Sequence, residues 1–312
     1  MKVNLRRATT QDVPVLVDIY ERAYMGGYSA CFDKYGPITP QDFWWVQSEK
    51  EVSLLEVNGR PRGLVIIGRD EGRLVVEELV GEVGGPRGHL LGTGAGREAL
   101  IDRVYAFLRQ KFQEERQDLL LLRTTESNPF ALSLAHRFSF TFSNALVVMG
   151  RSLSGRLPVE VPEGYTIRQA DLNDVAHIAR ISQECLEDPF KPEDIRKFLT
   201  RPSSRGFLAL HAGEPNPRRG LLPDRTGEYP VGFLLAQVRD GPVGEVVVAV
   251  REHHRGKGVG KALGNFGLNF LSRRHVPRAF ATFWALNPLA ERYARRLGFT
   301  PERVYMYFEK QL

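Results

Sequence analysis

The chain has 312 residues, 43 Lys and Arg against 37 Asp and Glu, a formal net charge of +6 and 42% hydrophobic residues. Ordinary apolar content with little net charge per residue excludes disorder, and no apolar run reaches the 18 or more residues of a helical membrane span. Two cysteines, Cys31 and Cys185, at no paired spacing exclude a disulfide framework and a zinc ribbon, so a reducing cytoplasm is the expected compartment.

In chain order, Met1–Arg7 leads into no apolar run, so no signal peptide is expected. Leu5–Val13 (LRRATTQDV) reads as a short strand running into a helix, with Asp12 in the first helical turn, where a carboxylate favours the dipole. Asn58-Gly59 marks a tight hairpin, followed by Gly63-Leu64-Val65-Ile66. A flexible stretch, Gly84–Gly88, precedes the glycine turn Gly92–Gly96, and Asn128-Pro129 opens a later helix. Ser, Gly and Pro then cluster over Ser152–Gly164 without helical period, which marks a join.

The series now repeats. Ile167–Val175 (IRQADLNDV) restates the opening at an offset of 162, and Gly232–Leu235 restates Gly63–Ile66 at 169. Gly256–Gly260 restates Gly92–Gly96 at 164, and Asn287-Pro288 restates Asn128-Pro129 at 159, each with a Phe twelve residues after the Asn. Drifting offsets in a fixed order are those of a duplicated domain of about 150 residues with different insertions. The two copies are placed at 1–152 and 160–312, two cores being what a length above about 250 residues favours. In the second, Phe207–His211 and Val231–Val238 are strands flanking a Pro- and Gly-rich loop, Ala212–Pro230. Glu245–Val250 is a buried strand, Val259–Leu271 has helical spacing and Ala279–Ala285 is a strand. Asn as N-cap, Pro at the first position and Gly298 past the end bound the last helix.

The second glycine turn carries the chemistry. Val246–Val250, then Arg255-Gly256-Lys257-Gly258-Val259-Gly260, is strand, glycine turn, helix. Glycines let backbone approach a ligand closely, and free amides at a helix start point at an anion. Arg251, Arg255, Lys257 and Lys261 add charge at the same end. A plain strand-to-helix connection is the alternative. A Walker A loop is excluded, since Arg255 and Ala262 stand where it needs Gly and Ser or Thr. A dinucleotide fold is disfavoured, because its glycines follow the first strand. Residues 1–155 carry 19 basic and 19 acidic side chains, so the entire surplus of +6 lies in the second half.

These residues resemble the GNAT superfamily of N-acetyltransferases. Arg255–Gly260 matches the [Q/R]-x-x-G-x-[G/A] acetyl-CoA motif, and Asn287, Ala290, Leu297, Gly298 and Phe299 match the following N-x-x-A and L-G-F motif. Ile167–Ala170 resembles the opening strand; the first copy matches more loosely, so the pair looks like a tandem GNAT protein. The resemblance implies an α/β fold of two GNAT-like domains, each a twisted mixed sheet with helices on both faces. The fourth and fifth strands splay there, with pantetheine in the gap. It implies acetyl-CoA or another acyl-CoA, its pyrophosphate on the amides around Lys257–Gly260, with Val250, Arg255, Gly256, Lys257, Gly258, Val259, Gly260, Lys261 and Asn287 as cofactor-binding residues. It further implies direct transfer in a ternary complex to a primary amine of a small molecule or peptide, with backbone amides of the fourth strand holding the oxyanion.

The pattern departs from the family at the acid. The usual Tyr, seven residues after the motif Asn, is Ala294 here and Ala135 in the first copy; Tyr293 falls one residue early, rotated by about 100°. Tyr293 is therefore either the acid or a packed residue. Glu245, a lone carboxylate opening an apolar run, is the candidate base; a surface charge at a strand's start is the alternative. His253 and His254 are water-relayed proton acceptors or solvated loop histidines, and Tyr305 and Tyr307 line an acceptor pocket or pack along the last strand. In the first copy the motif Arg is Leu91, Glu77 and Glu78 are the only base candidates, and Trp44-Trp45 walls an acceptor pocket or packs in the core. A degenerate first domain is the favoured reading. The alternatives are a tandem enzyme resembling mycothiol synthases, which acetylate a cysteinyl sugar amine, and a non-catalytic acyl-CoA-binding scaffold. With no helix-turn-helix, zinc motif or basic stripe interleaved with aromatics, nucleic acid is not an expected partner; a metal is not expected either.

Overall fold

The computed structural model describes residues 2–25, 38–70, 72–81, 95–213, 223–239 and 243–312. The chain folds into two compact units, and their membership is not linear. The first comprises Met1–Val147, Trp284–Leu286 and Arg303–Leu312; the second comprises Val148–Phe283 and Asn287–Glu302.

In the first unit, β1 (Val3–Arg7) runs through a 3-10 turn into α1 (Val13–Met25), followed by α2 (Pro40–Glu49). The antiparallel strands β2 (Glu51–Val57), β3 (Arg60–Asp70) and β4 (Arg73–Val80) come next, then α3 (Ala95–Glu114), β5 (Leu119–Thr125), α4 (Pro129–Arg137) and β6 (Thr141–Ser152). The β2–β3 turn holds Asn58 at φ 51° and Gly59 at φ 74°, the two positive angles an Asn-Gly hairpin supplies. One sheet face packs under α1 and α2 through Leu16, Tyr20, Phe43, Leu54, Leu64 and Ile66. The other packs under α3 and α4 through Val65, Val76, Leu79, Val104, Phe112 and Leu134. The strand beside β5 is the last of the chain, β12 (Thr300–Gln311), whose Tyr305 to Gln311 pair antiparallel with Thr125 back to Leu119.

The second unit repeats the plan: β7 (Tyr165–Gln169), α5 (Val175–Cys185), α6 (Pro192–Thr200), β8 (Ser204–His211), β9 (Tyr229–Arg239), β10 (Val243–Val250), α7 (Val259–Arg273), β11 (Arg278–Trp284) and α8 (Pro288–Arg296). The strands run β11-β10-β9-β8-β7, antiparallel from β7 to β10 and parallel between β10 and β11. Helices α5 and α6 cover one face through Ile178, Ile181, Ile195, Phe233 and Ala249. Of the predicted stripe on α7, Val259, Ala262, Leu263, Phe270 and Leu271 are buried, and Phe266 is half-buried.

The repeat detected in the sequence has a physical content. Arg6 donates to both carboxylate oxygens of Asp12 at 2.8 and 2.7 Å, and Arg168 does the same to Asp174 at 2.7 Å twice. In each copy the same Asp also accepts from the backbone N–H three residues before it, Thr9 or Asp171, at 2.8 Å. A planar guanidinium fork thus ties the first strand of each unit to the start of its first helix. In the first copy, Arg6 holds the Asp12 carboxyl well below the usual carboxylate range.

The join is held in place rather than loose. Buried Asn265 and Asn269, one turn apart on α7, grip it: Asn269 accepts from Leu157 N at 2.7 Å and donates to Leu157 O at 2.8 Å, and Asn265 donates to Pro158 O at 2.7 Å. Two carboxamides pairing with backbone act as a short strand edge would, satisfying groups that burial would otherwise orphan.

Candidate active site

The site is built where β10 leaves the sheet. β10 pairs with β9 along its full length, Val243 to Val250, but with β11 only at Val243↔Arg278, Gly244↔Ala279 and Glu245↔Phe280. Beyond Glu245 the parallel pairing stops, and a fork opens toward the glycine turn. β4 and β5 part likewise after Val75↔Leu121 and Val76↔Leu122.

At the fork's open end, Arg251 and a 3-10 turn, Glu252–His254, lead into Arg255 and the glycines. Gly256 and Gly258 have φ of +77° and +87°, a region L side chains avoid. A Cβ on Gly256 would meet nothing within 4 Å, so the turn presents bare backbone to open space there, and one on Gly258 would meet Pro162 Cγ at 3.3 Å. Gly258 is the N-cap of α7 and offers no side-chain cap, so the leading amides of Val259, Gly260 and Lys261 end the helix uncapped. Lys257 and Lys261 are exposed beside them. Arg255, also exposed, donates Nε to Val250 O at 2.8 Å, and Cys185 at the end of α5 lies against it; burial pushes that thiol up. These residues fit a diphosphate: uncapped amides, exposed cations and glycines without a Cβ at the turn.

Arg251 does not join them. It is buried, gives Nε to Glu184 at 2.9 Å and Nη1 to Pro230 O at 2.7 Å, and so bolts α5 and β9 to the turn. His254 is also inside, 3% exposed, with Nδ1 at 2.9 Å from the Tyr165 hydroxyl and its ring 5.2 Å from that of His211. Burial, followed by the nearby His211, Lys257, Arg251 and His253, lowers its pKa to about 4. A solvated loop histidine describes His253, which is exposed, and not His254.

Glu245 stands at the fork itself. Its Oε2 accepts from Gln237 Nε2 at 2.8 Å and from Arg239 Nε at 2.7 Å, which fixes the carboxylate's orientation. Tyr293 packs its ring on α7: a Cβ on Gly260 would lie 3.1 Å from the ring, and one on Gly264 would lie 2.6 Å from the hydroxyl. That hydroxyl donates to Gly260 O at 2.8 Å, and burial pushes the phenol up. Asn287 accepts from Ala290 N at 3.0 Å and caps α8, with Pro288 behind it. Ala294, at the position where the family's Tyr would stand, is buried.

Other candidates fall elsewhere. Tyr305 and Tyr307 lie in the segment assigned to the first unit, Tyr305 opposite Thr125 and Tyr307 edge-on to Trp284 at 5.5 Å. Trp44 and Trp45 are both exposed on α2, so core packing does not account for them. Glu77 sits at a bulge in β4, ion-paired with Lys50 and 3.5 Å from Arg123, while Glu78 is fully buried. Leu91, Gly92-Thr93-Gly94, the Gly84–Gly88 loop, Cys31 and residues 214–222 of the long loop lie outside the described residues. Among the described residues no group of three or more His, Cys, Asp or Glu is placed to hold a metal ion. No described helix is long and apolar enough to cross a membrane. The Gly260/Gly264 groove and the Asn265/Asn269 clamp were legible only as non-apolar residues interrupting the helical stripe of α7.

Residues 175–299 match the Acetyltransferase (GNAT) family. Mycothiol acetyltransferases from Thermobispora bispora and Acidothermus cellulolyticus are 31% and 26% identical to the chain over 55% and 58% of its length. The matched region spans 59% of each of those relatives. Two solved structures share the fold across 99% of the chain. A GCN5-related N-acetyltransferase from Sphaerobacter thermophilus has a TM-score of 0.69 at 19% identity, with 95% of it covered. A tandem GNAT protein from the clavulanic acid biosynthesis pathway has 0.66 at 15%, with 98% of it covered.

Proposed function

We propose that the chain transfers an acetyl group from acetyl-CoA to a primary amine of a small molecule or peptide, at the second unit, because residues 175–299 match the acetyltransferase (GNAT) family and the chain shares the fold of a tandem GNAT protein. The observation that carries this reading is the uncapped, Cβ-free glycine turn at the mouth of the β10–β11 fork, with a carboxylate at the fork's apex.

In this reading the amides of Val259, Gly260 and Lys261, with Arg255, Lys257 and Lys261, hold the diphosphate, and Val250 and Asn287 flank the gap. When bound, acetyl-CoA supplies an acyl group activated as a thioester. Glu245 takes the proton that the acceptor ammonium must lose before it can attack, held in place for this by Gln237 and Arg239. Exposed amides on the gap side of β10 stabilise the oxyanion. Tyr293 is assigned to packing rather than to acid catalysis. Its proton is committed to Gly260 O and held more tightly than an ordinary phenol's, whereas a thiolate, whose thiol ionises near pH 8.5, leaves without one.

The second reading, a mycothiol-synthase-like acceptor bearing a cysteinyl sugar amine, is favoured by the names of the curated relatives, though the match spans only part of their length. Thiol release and acetylated product, measured across amines with cysteinyl sugars included, tests both. Turnover on a cysteinyl sugar at least about a hundredfold above other amines selects the second reading. Tight CoA binding with no amine acetylated leaves the scaffold alternative.

A further inference from the structure

The two units carry the same fork, and its fate differs between them. In the second unit Asn287 caps α8, and among the described residues its side chain makes no bond to β10; Leu289, two residues on, is 51% exposed. The same two places in the first unit, at the offset of 159, are Asn128 and Phe130. Asn128 caps α4 through Ala131 N at 3.1 Å and also reaches across to β4, donating Nδ2 to Leu79 O at 2.8 Å. Phe130 is 8% exposed and lies directly on Gly81, where a Cβ would be 2.5 Å from two of its ring carbons.

The cation left in the first glycine turn is spent as well. Arg97 occupies the place of Lys261 at the offset of 164. Lys261 is exposed, whereas Arg97 donates Nη2 to Pro129 O and to Ser133 Oγ, both at 2.8 Å. Three side chains of one region, Arg97, Asn128 and Phe130, thus turn inward onto α4, β4 and Gly81. A strand-edge carbonyl that an extended ligand would use is already bonded, and the exit of β4 is roofed by an aromatic ring.

We propose that the first unit's fork is closed by its own side chains, Asn128 on Leu79 and Phe130 on Gly81, so that the chain takes one acyl-CoA, at the second unit alone. This rests on the reading of the second unit as the acyl-CoA site. Among the described residues, Asn128 and Phe130 pack against the first fork, whereas Leu289 at the matching place in the second unit is exposed.

Calorimetric titration of the intact chain with CoA, together with hydrogen exchange with and without CoA, tests this. One CoA per chain is expected, with slowed exchange over residues 255–264 and none over 79–81 or 129–134. The exposed charge reversals Arg255→Glu and Lys257→Glu together should weaken binding at least a hundredfold and leave no residual site. Two CoA per chain, residual binding in the reversed variant, or protection at 79–81 would overturn the proposal. No binding at all would sink the functional reading of the second unit while leaving the closed first fork standing.

Discussion

Arg251 and Arg255 stand four residues apart in one basic run, yet one is buried against Glu184 and the other is exposed at the glycine turn. Sequence shows the charge and not its partner, because Glu184 lies 67 residues away on another element. Arg255→Ala should therefore weaken CoA binding roughly tenfold or more, the worth of a charge-assisted contact. Arg97→Ala should leave it within about twofold, since Arg97 is bonded within its own unit; equal losses by titration would contradict this. At the fork, Glu245→Gln keeps the shape and the Gln237 contact but removes the base. It should lower kcat by about 10²–10⁴ while CoA affinity stays unchanged.

His254 adds a pH dependence whose sign is fixed. Its folded pKa, about 4, lies below the ordinary 6.5, so the unfolded chain binds this proton first. The stabilisation is complete above pH 6.5 and is lost as pH falls toward 4. Melting temperature should fall through that window, and His254→Asn should flatten that part of the profile. An identical slope in the variant would remove His254 from the account.

At the scale of elements, the glycines leading into α7 and those within it do two jobs that look alike in sequence. Gly256 and Gly258 supply positive φ, whereas Gly260 and Gly264 make room for Tyr293 and Leu297. A Cβ on Gly264 would fall 2.5 Å from Leu297 and 2.6 Å from the Tyr293 hydroxyl. Gly264→Ala should cost about 1–3 kcal/mol by denaturant titration, the usual cost of overpacking. Phe130→Ala should cost about 3–5 kcal/mol, and exposed Leu289→Ala less than about 0.5 kcal/mol. The strands, the hairpin at Asn58-Gly59, the α7 stripe and the Asn-Pro helix start were legible because each is written in local chemistry. The closed fork was not, since Asn128 and Asn287 are the same residue in the same cap and differ only in a bond to a strand 49 residues away. Tyr293 was half legible: its rotation off the family position follows from helical geometry, its seat on Gly260 does not.

For the whole molecule, the repeat in the sequence and the units in space do not share boundaries. The last ten residues, Arg303–Leu312, complete the sheet of the first unit, with seven paired positions against β5. A chain ending at Glu302 strips β5 of that partner, and loss of protease resistance should begin in residues 1–147. Cleavage confined to residues 148–283 would contradict the assignment.

The proposed chemistry happens at the fork of β10 and β11. A crystal structure of the intact chain with CoA tests it most directly. The expected result is diphosphate on the amides of Val259, Gly260 and Lys261, the pantetheine between β10 and β11, and the sulfur on the side of β10 that carries Glu245. A CoA seated in the first unit, or one whose sulfur lies remote from Glu245, would contradict it.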